Sequence, residues 1–176
     1  MENLYLERIV SDIWTGYIVA TERGLCYVSH VTTNLQDVVD FQVKYYPNSK
    51  LVSSAKEIEP YRDQFYEYLN GARDSFDFPI DIAGTPFQKQ VWEALYTIPY
   101  GETASYLDIA HKIGRDFKSA QAVGGAVGKN PLCIVCPCHR VVGTDGSLTG
   151  YSGGIDVKIN LLNHEIEHAV NLRKNS

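Results

Sequence analysis

The sequence predicts an α+β protein: a small N-terminal α/β unit over residues 1–80, then a mostly helical C-terminal unit over residues 84–170 with a helix-turn-helix. Three observations carry this. The first eighty residues mix hairpin and amphipathic-helix patterns, the stretch after Thr85-Pro86 is a succession of helix patterns, and the charge changes at the join. Residues 1–83 hold 7 Lys+Arg against 13 Asp+Glu, a net of −6; residues 84–176 hold 9 against 8, a net of +1. The chain's overall −5 therefore belongs to its first half. The neutral second half lacks a large basic footprint, so any nucleic-acid contact must rest on a few local groups and on groove shape.

Taken in order, Tyr17-Ile18-Val19-Ala20 and Leu25-Cys26-Tyr27-Val28 flank Thr21-Glu22-Arg23-Gly24, which reads as a hairpin with glycine at the turn. Asn34 can cap a helix carrying Val38, Val39, Phe41, Val43 and Tyr45, ended by Pro47-Asn48. Tyr61, Phe65, Tyr68 and Leu69 mark a second amphipathic helix stopped at Asn70-Gly71, and Phe76, Phe78, Ile80 and Ile82 alternate as a strand. This half gathers no suggestive cluster of titratable groups and reads as a scaffold. Thr85 can cap a helix with Pro86 at its first position and Phe87, Val91, Trp92 and Leu95 on its apolar face. Short helices from about Thr103 to Lys112 and from Lys118 to Lys129, joined at Gly114-Arg115-Asp116, fit a helix-turn-helix. An apolar run to Cys136 reads as a buried strand broken by Pro137, and a final helix starts near Asp156 with Val157, Leu161, Leu162 and Ile166.

The length of 176 residues allows one or two small domains with a real core. No apolar run approaches the roughly 20 residues needed to span a bilayer, and the N-terminus lacks a signal-peptide pattern. Four cysteines, three of them within six positions, do not resemble a secreted disulfide framework. The expected setting is a reducing cytoplasm, away from membranes.

Chemistry concentrates at Pro137-Cys138-His139. A thiol beside an imidazole can become a thiolate, the reactive form of cysteine. Glu165 on the final helix is a candidate to orient His139, fixing its tautomer and stabilising the imidazolium. Such a nucleophile could attack a peptide, a thioester, a glutamine amide or an alkyl group. Competing motifs are weaker. His164-Glu165-Ile166-Glu167-His168 matches the zinc-protease pattern and puts both histidines on one helical face, but only eight residues follow it to supply a third ligand. Cys133 and Cys136, embedded among Leu, Ile and Val, read as small hydrophobes rather than metal ligands. Gly128-Lys129-Asn130 departs from the phosphate-loop pattern at its first glycine and its Ser/Thr. The stretch Ser119 to Gly128 is built from tiny residues, and its three glycines cost on the order of 3 kcal/mol relative to alanine if all are interior. Either it packs closely on a neighbour or it presents a smooth face to a ligand backbone.

From about Gly84 to Glu165 the chain resembles the O6-alkylguanine-DNA alkyltransferases. The resemblance runs through Thr85-Pro86-Phe87-Gln88, Ile98-Pro99-Tyr100-Gly101-Glu102-Thr103, Ser105-Tyr106, Ala122-Val123-Gly124-Gly125-Ala126 and Asn130-Pro131. It continues through Pro137-Cys138-His139-Arg140-Val141, Gly150-Tyr151-Ser152-Gly153-Gly154 and Leu161-Leu162 with Glu165. It implies a ribonuclease H-like N-terminal sheet with helices, a winged helix-turn-helix, and one-shot repair of O6-alkylguanine and O4-alkylthymine in double-stranded DNA after base flipping. A monomer acting through the minor groove is expected. No cofactor is implied, and the zinc ligands of some relatives' N-terminal domains are not evident.

By this resemblance Cys138 accepts the alkyl group, His139 takes its proton through water, Glu165 orients His139, Tyr106 protonates guanine N3, and Asn130 ties the turn after the recognition helix to the active-site segment. Ser119, Ala120, Gln121, Ala122, Gly124 and Arg140 are expected at the DNA, with Val141, Tyr151 and Ser152 lining the base pocket. One departure stands out: Gln121 occupies the place where the family usually carries an arginine that fills the gap left by the flipped base. The alternatives are a zinc-dependent hydrolase using His164 and His168, and a non-enzymatic lesion-sensing DNA-binding protein. Family relatives of the latter kind lack the cysteine that this chain has.

Overall fold

In a computed structural model, which describes residues 1–30, 34–53 and 55–176 (Ala55 by its backbone alone), the chain begins with a strand, β1 (Glu2–Val10). Strands β2 (Thr15–Ala20) and β3 (Leu25–Val28) form the expected hairpin, antiparallel with Ile18 opposite Val28. Helix α1 (Gln36–Tyr45) then leads to β4 (Ser49–Ser53), which returns to lie parallel to β1 and gives the order β3-β2-β1-β4. Asn34 accepts a hydrogen bond from the Gln36 amide at 3.0 Å at the start of α1, while Leu35 occupies the cap position itself. Successive residues of β2 serve opposite faces of the sheet, as the two-residue period requires. Ile18 and Ala20 join the large core with Phe65 and Tyr68 of α2 (Ala55–Leu69), whereas Val19 joins Leu4, Cys26 and Val38 under α1.

The C-terminal part is carried by α3 (Pro86–Leu95), α4 (Tyr106–Lys112), α5 (Ala120–Gly128) and α6 (Ile155–Lys174). Thr85 and Gln88 form a reciprocal capping box with Pro86 at the first turn of α3. The Trp92 indole donates to the Ala126 carbonyl at 2.9 Å and ties α3 to α5. The two-residue strands β5 (Ala104–Ser105) and β6 (Val141–Val142) pair in parallel. One continuous core runs from Ile9 in β1 to Leu161 in α6.

Two expected strands are absent. Residues 76–82 make a single bridge, with Leu25 donating to Pro79 and Asp81 donating to Leu25, both through backbone. Phe76 and Phe78 both pack on Phe65, as one strand face would, but Pro79 has no N–H to extend a ladder. Residues 132–136 form a buried turn, closed by Cys136 N donating to Leu132 O at 2.9 Å, with Ile134 at φ 73°. An apolar run buried on all sides carries no periodicity to separate turn from strand. This turn sits on the free edge of β3, where Val28 donates to Pro131 O at 2.8 Å.

Candidate active site

The turn's geometry is set by Asn130, a buried side chain that donates to Cys136 O at 2.8 Å and accepts from Leu132 N at 2.9 Å. It satisfies backbone groups that a neighbouring strand would otherwise take. The chain then enters a 3₁₀ turn, Cys138–Arg140, after Pro137. Cys138 is 6% exposed and His139 is fully buried.

Glu165, fully buried on α6, is the hub. Its Oε1 lies 2.7 Å from His139 Nε2 and accepts from Tyr68 Oη at 2.6 Å and Arg140 Nη2 at 2.9 Å; its Oε2 accepts from Arg140 Nε at 2.9 Å and the Gly101 amide at 3.2 Å. Burial opposes the carboxylate's charge, yet His139 and Arg140 together hold it well below the usual carboxylate range. An ionised Glu165 accepts, so His139 carries its proton on Nε2. Nδ1 is then the basic nitrogen, and it is buried without a hydrogen-bond partner among the described residues. Burial lowers the His139 pKa against the pull of Glu165, so the ring stands neutral and able to take a proton.

Cys138 is held below an ordinary thiol chiefly by the neighbouring Cys133 thiol. Burial opposes this, while the Asn130 amide and the Lys158 ammonium add to it. Lys158, fully buried on α6, donates to Val141 O and to Thr149 O at 3.3 Å. Tyr106, half-buried at the start of α4, donates to Thr149 O at 3.4 Å, and burial with the nearby Cys138 raises its pKa, which keeps its hydroxyl a proton donor. Tyr151 is raised by burial and by Cys133 and Cys138. Val141 is fully buried beside them, and Ser152 is exposed and donates to Gly128 O at 3.4 Å.

The small-residue helix splits cleanly. Val123, Ala126 and Val127 are buried; Gln121, Ala122, Gly125 and Gly128 are exposed; Ser119, Ala120 and Gly124 lie between. A methyl group added at Gly125 or Gly128 would meet nothing within 4 Å, and one at Gly124 would touch only the Tyr106 ring at 3.7 Å. Intramolecular packing therefore does not explain the two outer glycines.

Two expectations change. Arg140, expected at the DNA, is 7% exposed and turned inward, with Nη1 on the Ile98 carbonyl at 2.7 Å and its other donors on Glu165. The zinc-hydrolase alternative also loses its parts. Both oxygens of Glu165 are committed, His164 Nε2 lies 2.7 Å from the Tyr68 carbonyl, and no three potential ligands cluster among the described residues. Tyr68 and Lys158 were not anticipated. Tyr68 shares a helical face with Phe65 and Leu69 and looks like core. Lys158 had a usable signal: 158, 161, 162 and 165 fall on one face of α6, which places a lysine at a core position.

An activated thiol beside a buried histidine–carboxylate pair, next to a helix with a smooth exposed face, defines a cysteine nucleophile serving a macromolecular substrate. The family described as "6-O-methylguanine DNA methyltransferase, DNA binding domain" matches residues 86–167. The inducible methylated-DNA–protein-cysteine methyltransferase of Bacillus subtilis is 43% identical over 92% of this chain and 90% of that protein, and the methylated-DNA–protein-cysteine methyltransferase of Methanosarcina barkeri is 38% identical over 92% and 97%. A crystal structure of Mycobacterium tuberculosis O6-methylguanine methyltransferase matches with a TM-score of 0.79 at 36% identity, covering 98% of this chain and 99% of that one. A Mycobacterium tuberculosis relative crystallised in complex with DNA matches at 0.78 and 36% identity over 93% and 94%. The chain belongs to the methylated-DNA–protein-cysteine methyltransferase family. No described helix is long and apolar enough to cross a membrane.

Proposed function

We propose that this protein repairs DNA by moving the alkyl group of O6-alkylguanine, and of O4-alkylthymine, irreversibly to Cys138. The observation that carries this is Cys138 in its Pro-Cys-His-Arg turn, with His139 Nε2 paired to Glu165 and Nδ1 left as a base. His139 accepts the Cys138 proton through a water. The thiolate attacks the alkyl carbon, a C–S bond forms as the C–O6 bond breaks, and the electron pair passes to guanine. Tyr106 donates its proton to N3, so the base leaves neutral. The thioether is inert, and each molecule reacts once.

The alkyl carbon is out of reach while its base is stacked, so double-stranded DNA is engaged from the minor groove and the base is flipped. Ser119, Ala120, Gln121, Ala122 and Gly124 form the contact helix, with Gln121 beside the orphaned cytosine. The open glycines at 125 and 128 support a close approach to the groove. Val141, Tyr151 and Ser152 line the base pocket, and Asn130 fixes the turn. Arg140 steadies Glu165 instead of touching DNA. Residues 1–80 form a ribonuclease H-like unit, and residues 84–170 a winged helix-turn-helix unit in which α4 and α5 are the two helices and β5–β6 the base of the wing. The protein acts as a cytoplasmic monomer. With excess O6-methylguanine duplex, repaired product should plateau at one equivalent of protein; continued turnover would contradict the mechanism.

A further inference from the structure

Phe117 is the most exposed large apolar side chain among the described residues of the C-terminal unit, 69% open to solvent and part of neither apolar core. It stands in a 3₁₀ turn, Phe117–Ser119, that feeds straight into α5. The turn is held on both sides of the phenyl. Asp116 accepts from the Lys118 amide at 3.1 Å through its side chain and from the Ser119 amide at 3.0 Å through its carbonyl, and the Phe117 carbonyl accepts from the Ala120 amide. We propose that Phe117 is an apolar wedge for the minor groove, seated one helical turn ahead of Gln121, where it holds the duplex open beside the flipped base. This contact rests on the DNA-repair reading given above.

Residues three and four apart share a helical face, so Phe117, Gln121, Gly124 and Gly128 fall in one row. Phe117, Gln121 and Gly128 are exposed and Gly124 is half-buried. The two glycines put no side chain into the row, and space beside Gly128 is empty to 4 Å. A phenyl and one amide therefore stand out from an otherwise bare strip. The charges around them suit a polyanion. Lys112 ends α4, Arg115 and Lys118 lie in the connection, and Lys129 follows α5; all four are exposed. None of them enters an ion pair among the described residues, whereas the ion pairs of the C-terminal unit use His139, Arg140 and Arg173. Four of the nine Lys+Arg in residues 84–176 thus belong to this one helix pair, although the unit as a whole is near neutral. An apolar side chain pushed between base steps of the minor groove unstacks them and bends the duplex. Gln121 brings no charge to the flipped state, and Phe117 adds to the same row the packing that an amide lacks.

The test compares Phe117→Ala, Phe117→Leu and Lys118→Ala with the parent protein. Binding of O6-methylguanine duplex is measured over a range of salt concentrations in a Cys138→Ser background, so that the lesion persists, with 2-aminopurine placed beside the lesion to report unstacking. Phe117→Ala should weaken duplex binding about tenfold and lower the 2-aminopurine fluorescence of the saturated complex. Its salt dependence should stay parallel to the parent's because no charge is lost, whereas Lys118→Ala should reduce the slope by about one. Phe117→Leu, which keeps an apolar wedge, should recover most of the affinity. With Cys138 restored, alkylation by free O6-benzylguanine should proceed at the parent rate in Phe117→Ala, since that reaction needs no groove. Unchanged duplex affinity and fluorescence in Phe117→Ala would overturn the proposal; joined to altered sedimentation, they would assign the phenyl to a second copy of the chain. An equal loss in the free-base reaction would also overturn it, because it would mark damage to the fold. A parent protein that takes the benzyl group yet fails to bind duplex would defeat the DNA reading itself, which sets that failure apart from this one.

Discussion

Glu165→Gln tests the hub of the site. The carboxylate accepts five hydrogen bonds, from His139, Tyr68, Gly101 and twice from Arg140, across its two oxygens. A glutamine has one acceptor oxygen. With that oxygen in the Oε1 place it keeps Tyr68, His139 and one arm of Arg140, but its NH₂ then faces Arg140 Nε–H and the Gly101 N–H, donor against donor. Arg140, 7% exposed, also loses its counter-charge. Breaking a buried pair in this way costs about 3–5 kcal/mol. At about 2–4 °C per kcal/mol for a chain of this size, Tm should fall by about 6–20 °C. The imidazolium formed when His139 takes the thiol proton also loses its anion. A loss of about 1.4 kcal/mol in stabilising that imidazolium slows the transfer about tenfold. The assays are thermal unfolding by circular dichroism and the single-turnover rate on O6-methylguanine duplex, measured well below the variant's Tm. A Glu165→Gln protein that melts within about 2 °C of wild type and reacts at the wild-type rate would rule out Glu165 as the hub of the site.

Three further outcomes are expected. Gln121→Arg should speed repair of duplex DNA more than reaction with free base, because it restores a charged side chain where the flipped base leaves a gap; equal or lower duplex rates would contradict this. Gly125→Ala should stabilise the protein by about 1 kcal/mol, since the added methyl meets nothing in the helix's surroundings, yet weaken duplex binding; undiminished binding would remove that face from the groove. His30, His139 and His164 are each pushed below their ordinary 6.5 chiefly by burial. The unfolded chain therefore binds protons more readily, so stability is complete above that value and is lost as pH falls below it, with a second loss below about 4.5 as the depressed Glu165 comes into play. A urea midpoint that stays flat from neutrality down to about pH 5 would contradict this assignment.

The sequence was most legible where local chemistry decides structure. Thr85-Pro86-Phe87-Gln88 dictates a capping box, Thr21 to Gly24 a hairpin turn, and the spacing around Gly114 the helix pair. It was least legible where the reason for a residue lies far along the chain. The Cys133–Cys136 run looks like a strand because it is apolar, but it folds as a turn whose ends are held by Asn130, which no periodicity reveals. Strands β1 and β4 went unread because β1 interleaves Asn3, Glu7 and Arg8 with its apolar residues, and β4 is five residues long. Within the site, adjacency marked Cys138 and His139, and the family motif marked Glu165. Tyr68 reaches Glu165 across 97 positions, and His30 reaches Cys133 across 103; a helix-face tyrosine and a lone histidine carry no local sign of such partners. Arg140 sits beside His139 in the motif, but only the fold shows that it turns inward.

In the proposed transfer the Cys138 sulfur is the atom that leaves the reaction changed. Its most direct measurement is the mass of the intact protein and of its Cys138 peptide after incubation with O6-methylguanine duplex. One methyl group per molecule is expected, located on Cys138, with Cys133 and Cys136 unmodified and no gain in a Cys138→Ser protein. A methyl group on either neighbouring cysteine, or repaired guanine with an unmodified protein, would contradict it.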